Sequence, residues 1–299
     1  MNNNPQDPII VLQNDSPDVL YSRSAHVQVA VYSKRSPAKE TPNEDSAAVV
    51  PAGPEATLFV VADGVGGHKA GEVASQIAID SLASQLHASS SIPGTGLRAN
   101  ILNGIESANA SIQALNLGAA TTIAVVELNH GQVRPYHVGD TGILMVSSRG
   151  NVCYQSISHS PVGFAVESGL LDEDEALLHE DRHFVSNVVG DPAMRIEVGP
   201  TIRLAPRDTV LLASDGLFDN LTIDLIVETI RKGPLKKSVK LLADMANSNM
   251  QLAPAELSKP DDLTILAFRR YTPRAKSANK LNHENGTAVL RNSLSDSSI

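Results

Sequence analysis

From His26 onward the chain alternates between runs of period two and runs of helical period, and the two kinds come in blocks. Val27, Val29 and Val31 share one face of the alternating stretch 26–33, which predicts a strand. Ser46 to Val50 and Leu58 to Ala62 are apolar runs joined through Pro51-Ala52-Gly53-Pro54, which predicts an antiparallel hairpin. Ala74, Ile77, Ala78, Leu82 and Leu86 form one stripe and predict a helix over about 70–86. Ile101, Ile105, Ala108, Ile112 and Leu115 predict a second over about 98–115, with Gly118 as its stop. Each stripe is single, so both helices should cover one face of a sheet. Strand patterns follow at 120–128, 133–138, 143–147 and 152–157, separated by turn residues, and predict an antiparallel meander. Strands at 195–204 and 209–213, helices at 221–231 and 235–246, and a last strand at 263–268 complete the pattern.

Three segments stand outside it. Residues 1–24 are rich in Asn, Asp, Pro and Ser and read as a flexible arm with one apolar contact at Ile9-Ile10-Val11-Leu12. Residues 272–299 are rich in Ser, Asn and Lys and read as a disordered tail. Residues 159–194 are acidic and weakly patterned, with a helical stretch near Asp172 to Leu178, and read as a flap-like insertion over a sheet edge. One domain over 25–271 remains, with no internal repeat.

Composition narrows the picture. Aromatics make up only 3% of the chain, so the core must be aliphatic. A net charge of −9 argues against a nucleic-acid binder. Cys153 is the single cysteine, which excludes an internal disulfide; its alternating surroundings read as a small core position. No signal peptide and no apolar run of membrane length are expected, which fits a cytoplasmic monomer without membrane contact.

The chemistry gathers where strands meet turns. Val60-Val61-Ala62 stops on Asp63 and turns on Gly64, Gly66 and Gly67. A dinucleotide fingerprint fails because Lys69 replaces its last glycine, and a phosphate loop fails because Glu72 replaces its lysine. A metal-ligating Asp and a plain turn remain. Gly139-Asp140, Ser214-Asp215-Gly216 and Asp261-Asp262 repeat the arrangement, and Glu44-Asp45 opens another strand. The hairpin would bring Glu44 and Asp45 beside Asp63. Carboxylates that converge repel one another and need hard cations. An all-oxygen set favours Mg²⁺ or Mn²⁺ over Zn²⁺, and paired ions suit phosphoryl chemistry. The plain alternative is a set of surface turn caps.

Taken in order, the blocks Asn43-Glu44-Asp45, Val61-Ala62-Asp63-Gly64-Val65-Gly66-Gly67, Gly118-Ala119-Ala120-Thr121-Thr122, His137-Val138-Gly139-Asp140-Thr141, Ser214-Asp215-Gly216-Leu217-Phe218-Asp219 and Pro260-Asp261-Asp262-Leu263-Thr264 span about residues 26–269. The set resembles the metal-dependent Ser/Thr protein phosphatases of the 2C type, in their bacterial form. That resemblance implies an α+β fold, a four-layer α-β-β-α sandwich of two mainly antiparallel sheets flanked by helices. It implies hydrolysis of phosphoserine and phosphothreonine in protein substrates by a metal-activated water. Asp63 would bridge two Mg²⁺ or Mn²⁺ ions. Glu44, Asp45 and the Gly64 carbonyl would serve one, Asp215 and Asp261 the other, and Asp140 with Asp215 a weaker third. Asp63, Asp215 and Asp261 are then the catalytic set, and Cys153 has no part. The register of Leu263-Thr264 puts Asp262 where the family accepts Asn, which implies that no charge is needed there.

Two departures stand out. Many relatives carry an Arg just before the acidic pair, where its fork grips the phosphate. Here Lys39 and, further back, Arg35 are the nearest cations. Some eukaryotic relatives carry a His after Asp-Gly. Here that place is Val65, and His68 lies three residues on. Arg35, Lys39 and His68 are therefore the candidate substrate contacts. The competing expectation is a weakly active or inactive phosphatase fold that binds phosphoproteins.

Overall fold

Alternation with both parities apolar sets the architecture. The structure, a computed structural model, describes residues 8–24, 26–65, 70–89, 96–252 and 259–271. The proposed disordered tail over 272–299 lies outside the described residues. In strand β5 (Ala56–Gly64), Leu58 and Val60 pack under helices α1 (Gly71–Ser89) and α2 (Leu97–Ala114), while Phe59 and Val61 face inward between two sheets. Strands β12 (Thr209–Ala213) and β13 (Leu263–Arg270) mirror this arrangement. Leu211, Ala213, Leu263 and Ile265 pack under helices α6 (Ile223–Ile230) and α7 (Leu235–Asn249), and Val210, Leu212 and Phe268 face inward. The rings of Phe59 and Phe268 stack across the middle at 3.7 Å. These central strands are therefore buried on both faces, which gives the four layers α-β-β-α.

One sheet carries β1 (Ile9–Leu12), β4 (Ser46–Gly53), β5, β6 (Thr121–Asn129), β7 (Gln132–Val138) and β10 (Glu197–Val198) in that order, with β11 (Ile202–Arg203) also on β7. The other carries β2 (Leu20–Arg23), β3 (Val27–Lys34), β13, β12, β8 (Gly142–Val146) and β9 (Val152–Gln155). All named pairings are antiparallel, and the predicted hairpin is present with Ser46 opposite Ala62. Among the described residues, no helix is long and apolar enough to cross a membrane.

Four expectations change. The flexible arm instead supplies an edge strand to each sheet: Ile9 pairs with Val49 and Leu20 with Val31, because exposed strand edges offer backbone partners whatever the local composition. The meander is split. After β7 the chain crosses to the other sheet through Gly139, whose φ of +98° favours glycine. Strand 195–204 breaks at Gly199-Pro200 into β10 and β11. Cys153 is exposed, since β9 is an edge strand.

Candidate metal centre

The strand registers deliver the carboxylates to one end of the sandwich. Glu44 and Asp45 precede β4, Asp63 and Gly64 end β5, and Asp140 lies in the β7–β8 crossover. Asp215 opens the short helix α5 (Asp215–Phe218) after β12, and Asp261 precedes β13. Ser46 stands opposite Ala62, Gly64 opposite Thr121, and Ala213 opposite both Gly142 and Ile265, so all these strand ends are level. Side chains and backbone pin the turns. Thr121 Oγ1 donates to the Asp63 carbonyl at 2.7 Å, and Gly64 N donates to the Glu44 carbonyl at 3.2 Å. A Cβ on Gly64 would lie 2.4 Å from the Gly71 carbonyl oxygen, so only glycine fits this close approach. Ser214 Oγ donates to Asp45 Oδ2 at 2.8 Å and accepts from Thr264 N at 2.9 Å, tying three segments together.

The electrostatics are those of carboxylates that repel one another. Burial raises the Asp63 pKa well above its ordinary value, and Asp45, Asp215, Asp261 and Asp140 raise it further. Burial, then Asp215, pushes both Asp140 and Asp261 up to about 7. Asp45 is fully buried, yet its Oδ1 has no hydrogen-bond partner. A buried oxygen without a donor costs about 1–3 kcal/mol, more when charged. Cations would satisfy the orphaned oxygen and cancel the repulsion, and the donor set of carboxylates and a carbonyl suits hard divalent ions. The residues present therefore fit the metals that the resemblance implies.

Two lysines missed as a pair by sequence reasoning sit in the cluster. Lys39 Nζ contacts Glu44 and lies 2.9 Å from Asp262 Oδ2. Lys259 Nζ contacts Asp215 and lies 2.7 Å from Asp219 Oδ2 and 3.7 Å from Asp261 Oδ2. Burial opposes both charges, but the carboxylates outweigh it and hold both ammonium groups above the ordinary lysine pKa. The only sequence signal for Lys259 was its place two residues before Asp261. Arg35 is not brought into this cluster: its guanidinium donates to the Glu40 carbonyl and pairs with Asp15 at 3.5 Å. His68 lies outside the described residues. Arg182, from the segment 159–194, borders the same cleft as Asp140, Asp215 and Asp219.

That segment forms helices α3 (Pro161–Glu167) and α4 (Glu173–Leu178) and a 3₁₀ turn at Glu180–His183. His159 fastens its start. Its Nδ1 accepts from Gly139 N at 3.0 Å, with Asn187 Nδ2 at 2.8 Å, and its Nε2 meets Glu197 at 3.1 Å. His137 stacks on His159 at 4.5 Å and is held to the Ile157 carbonyl at 2.9 Å. Ligand-capable atoms of His137, His159 and Glu197 come within 4.8 Å of one another. The two rings lie within 25° of parallel, however, so their in-plane lone pairs run side by side rather than meeting on one ion. The trio braces the flap against the strand end that carries Asp140.

Asp262 bears on the expectation, drawn from the family register, that no charge is needed at its position. It does point away from Asp261, as neighbours in an extended segment do. Its Oδ1 accepts from Ser36 N at 2.8 Å, and its Oδ2 from Glu44 N at 2.8 Å and Lys39 Nζ at 2.9 Å. Donors face both oxygens, so an Asn amide must set its NH₂ against one of them. Asp262→Asn should lower the stability of the metal-free protein by about 1–3 kcal/mol in urea unfolding. Asp261→Asn, whose side chain is 31% exposed, should not. An Asp262→Asn variant as stable as wild type would show that these contacts are dispensable.

Comparison with known proteins gives a consistent result. The family model described as Protein phosphatase 2C matches residues 34–258. A 2C-type protein phosphatase of Streptococcus pyogenes is 30% identical over 198 residues, covering 64% of this chain and 80% of that protein. The protein phosphatase PhpP of Streptococcus pneumoniae is 27% identical over 220 residues, covering 69% and 87%. The crystal structure of the catalytic domain of the serine/threonine protein phosphatase PstP with two manganese ions superimposes with a TM-score of 0.66 at 25% identity, over 82% of this chain and 98% of that one.

Proposed function

The chain belongs to the protein phosphatase 2C family, and from that premise we propose that it removes phosphate from serine and threonine residues of proteins at a centre of two Mg²⁺ or Mn²⁺ ions built on Asp63. The observation that carries this reading is the convergence of Asp45, Asp63, Asp140, Asp215 and Asp261, from five separate segments, on one half-buried cluster. Such a cluster only costs stability unless cations occupy it.

In this reading Asp63 would serve both ions, with the Gly64 carbonyl, Glu44 and Asp45 holding one and Asp215 and Asp261 the other, and Asp140 with Asp215 would hold a third, weaker one. The ions would lower the pKa of water and polarise the phosphoryl oxygens. The chain's own groups do the positioning. Ser214 orients Asp45, Thr121 holds the Asp63 turn, and the tight packing of Gly64 aims its carbonyl. Lys39 and Arg182 would meet a substrate phosphate, as point charge and fork respectively. Arg35 and His68 lack such support. The flap tunes the choice of protein substrate.

Turnover of p-nitrophenyl phosphate and of a phosphoserine and phosphothreonine peptide panel should depend on added Mn²⁺ or Mg²⁺ and fall at least about a hundredfold with a chelator, the loss of several kcal/mol of charge stabilisation. Absence of any metal-dependent turnover would sink the enzyme reading and leave a phosphoprotein-binding module.

A further inference from the structure

Beside the carboxylates lies a cleft of about 350 Å³ whose lining includes residues beyond those assigned to the metals and the phosphate. Its floor at one end is Asp140, Asp215 and Asp219. Its lining also includes apolar side chains. Val162 of α3 and Leu177 of α4 stand on the flap side, and Phe218 and Leu221, from α5 and the turn after it, on the other. Leu177 and Phe218 are only half-buried, so they leave apolar surface facing the cleft. The volume falls in the range of roughly 300–1,000 Å³ that binding pockets occupy.

We infer that this cleft is a subsite for a bulky aliphatic or aromatic side chain adjacent to the phosphorylated residue of the substrate; the inference rests on the phosphatase reading above. Continuity carries it. A phosphoryl group held over the carboxylate end leaves the neighbouring residue of the same peptide at the mouth of the cleft, where apolar walls continue from the acidic floor. The charge of the lining selects against an acidic occupant. Asp140, Asp215, Asp219 and Glu167 repel an acidic side chain. Arg182 already spends one N–H on the Leu177 carbonyl. An apolar side chain meets neither cost and loses water contact on entering.

The test is a pair of phosphopeptides that differ only in Leu or Ala beside the phosphoresidue, with a Lys version as control. With Mn²⁺ present, the Leu peptide should exceed the Ala peptide about tenfold in kcat/KM, mainly through KM, as pocket contacts of a few methylenes do. Unphosphorylated versions, which cannot turn over, should show the same order in fluorescence anisotropy. Leu177→Asp should bring the Leu/Ala ratio near one, and Leu177→Met should restore it to within about twofold of wild type, since that swap conserves volume. A wild-type ratio near one, a ratio unmoved by Leu177→Asp, or a preference for Lys would overturn the inference. Wild-type turnover of p-nitrophenyl phosphate separates the two failures. If it is present while the peptide ratio is flat, only the subsite is wrong; if it is absent, the phosphatase reading falls as well, and the anisotropy comparison still decides the subsite.

Discussion

Asp63→Asn is expected to cost at least about a thousandfold in turnover, the equivalent of ~4 kcal/mol, and yet to stabilise the metal-free protein. Both outcomes have one cause. Asp63 ends a buried strand, and burial together with Asp45, Asp215, Asp261 and Asp140 makes its negative charge unfavourable when no cation is present. Asn keeps the shape and removes the charge, so repulsion in the empty cluster falls. The same charge is what binds metal, so calorimetric Mn²⁺ affinity should fall at both ions. Ligand-linked stabilisation should shrink with it: wild type gains about 2.7 kcal/mol at a hundred times the dissociation constant, and the variant should gain far less at that concentration. Thermal unfolding with chelator and with Mn²⁺ reads both effects. An Asp63→Asn protein with wild-type turnover would remove Asp63 from the centre. A metal-free variant less stable than wild type would show that the carboxylate has a structural partner instead.

Lys259→Met should act in the opposite sense. The Lys259 ammonium touches Asp215, Asp219 and Asp261 together and is only 18% exposed, so it is the cation of the metal-free cluster. Removing one partner of a buried ionic group leaves the others uncompensated, at a cost of about 3–5 kcal/mol. The metal-free Met variant should therefore unfold at a markedly lower temperature. An ammonium and a divalent ion compete for the same Asp215 and Asp261 oxygens, so Mn²⁺ affinity should rise about tenfold, or ~1.4 kcal/mol. Calorimetric titration with Mn²⁺ decides it. Weaker Mn²⁺ binding in Lys259→Met would mean that Lys259 supports the site rather than competing for it.

The carboxylates could be read from the chain because their signal is local. One carboxylate beside a turn means little alone, but carboxylates recur where strands meet turns at Glu44-Asp45, Asp63, Asp140, Asp215 and Asp261, and the ordered blocks around them carry the resemblance. The helices α1, α2, α6 and α7 were legible for a similar reason: each has one apolar stripe at helical spacing. The hairpin β4–β5 followed from two runs and a short turn, and it carried Glu44 and Asp45 to Asp63.

What period two does not encode is sheet membership. Leu58 and Phe59 are equally apolar, yet one lies under helices and the other between sheets, so alternation alone could not show that the chain changes sheets at Gly139. The polar stretch before Val27 reads as an arm because its partners are backbone edges supplied by distant strands. Cys153 looks like a core position until β9 proves to be an edge. Lys259, Lys39, Arg182 and Asp262 gain their meaning only from charges brought together across the fold, because a side chain's electrostatic partners are set by distance in space rather than along the chain.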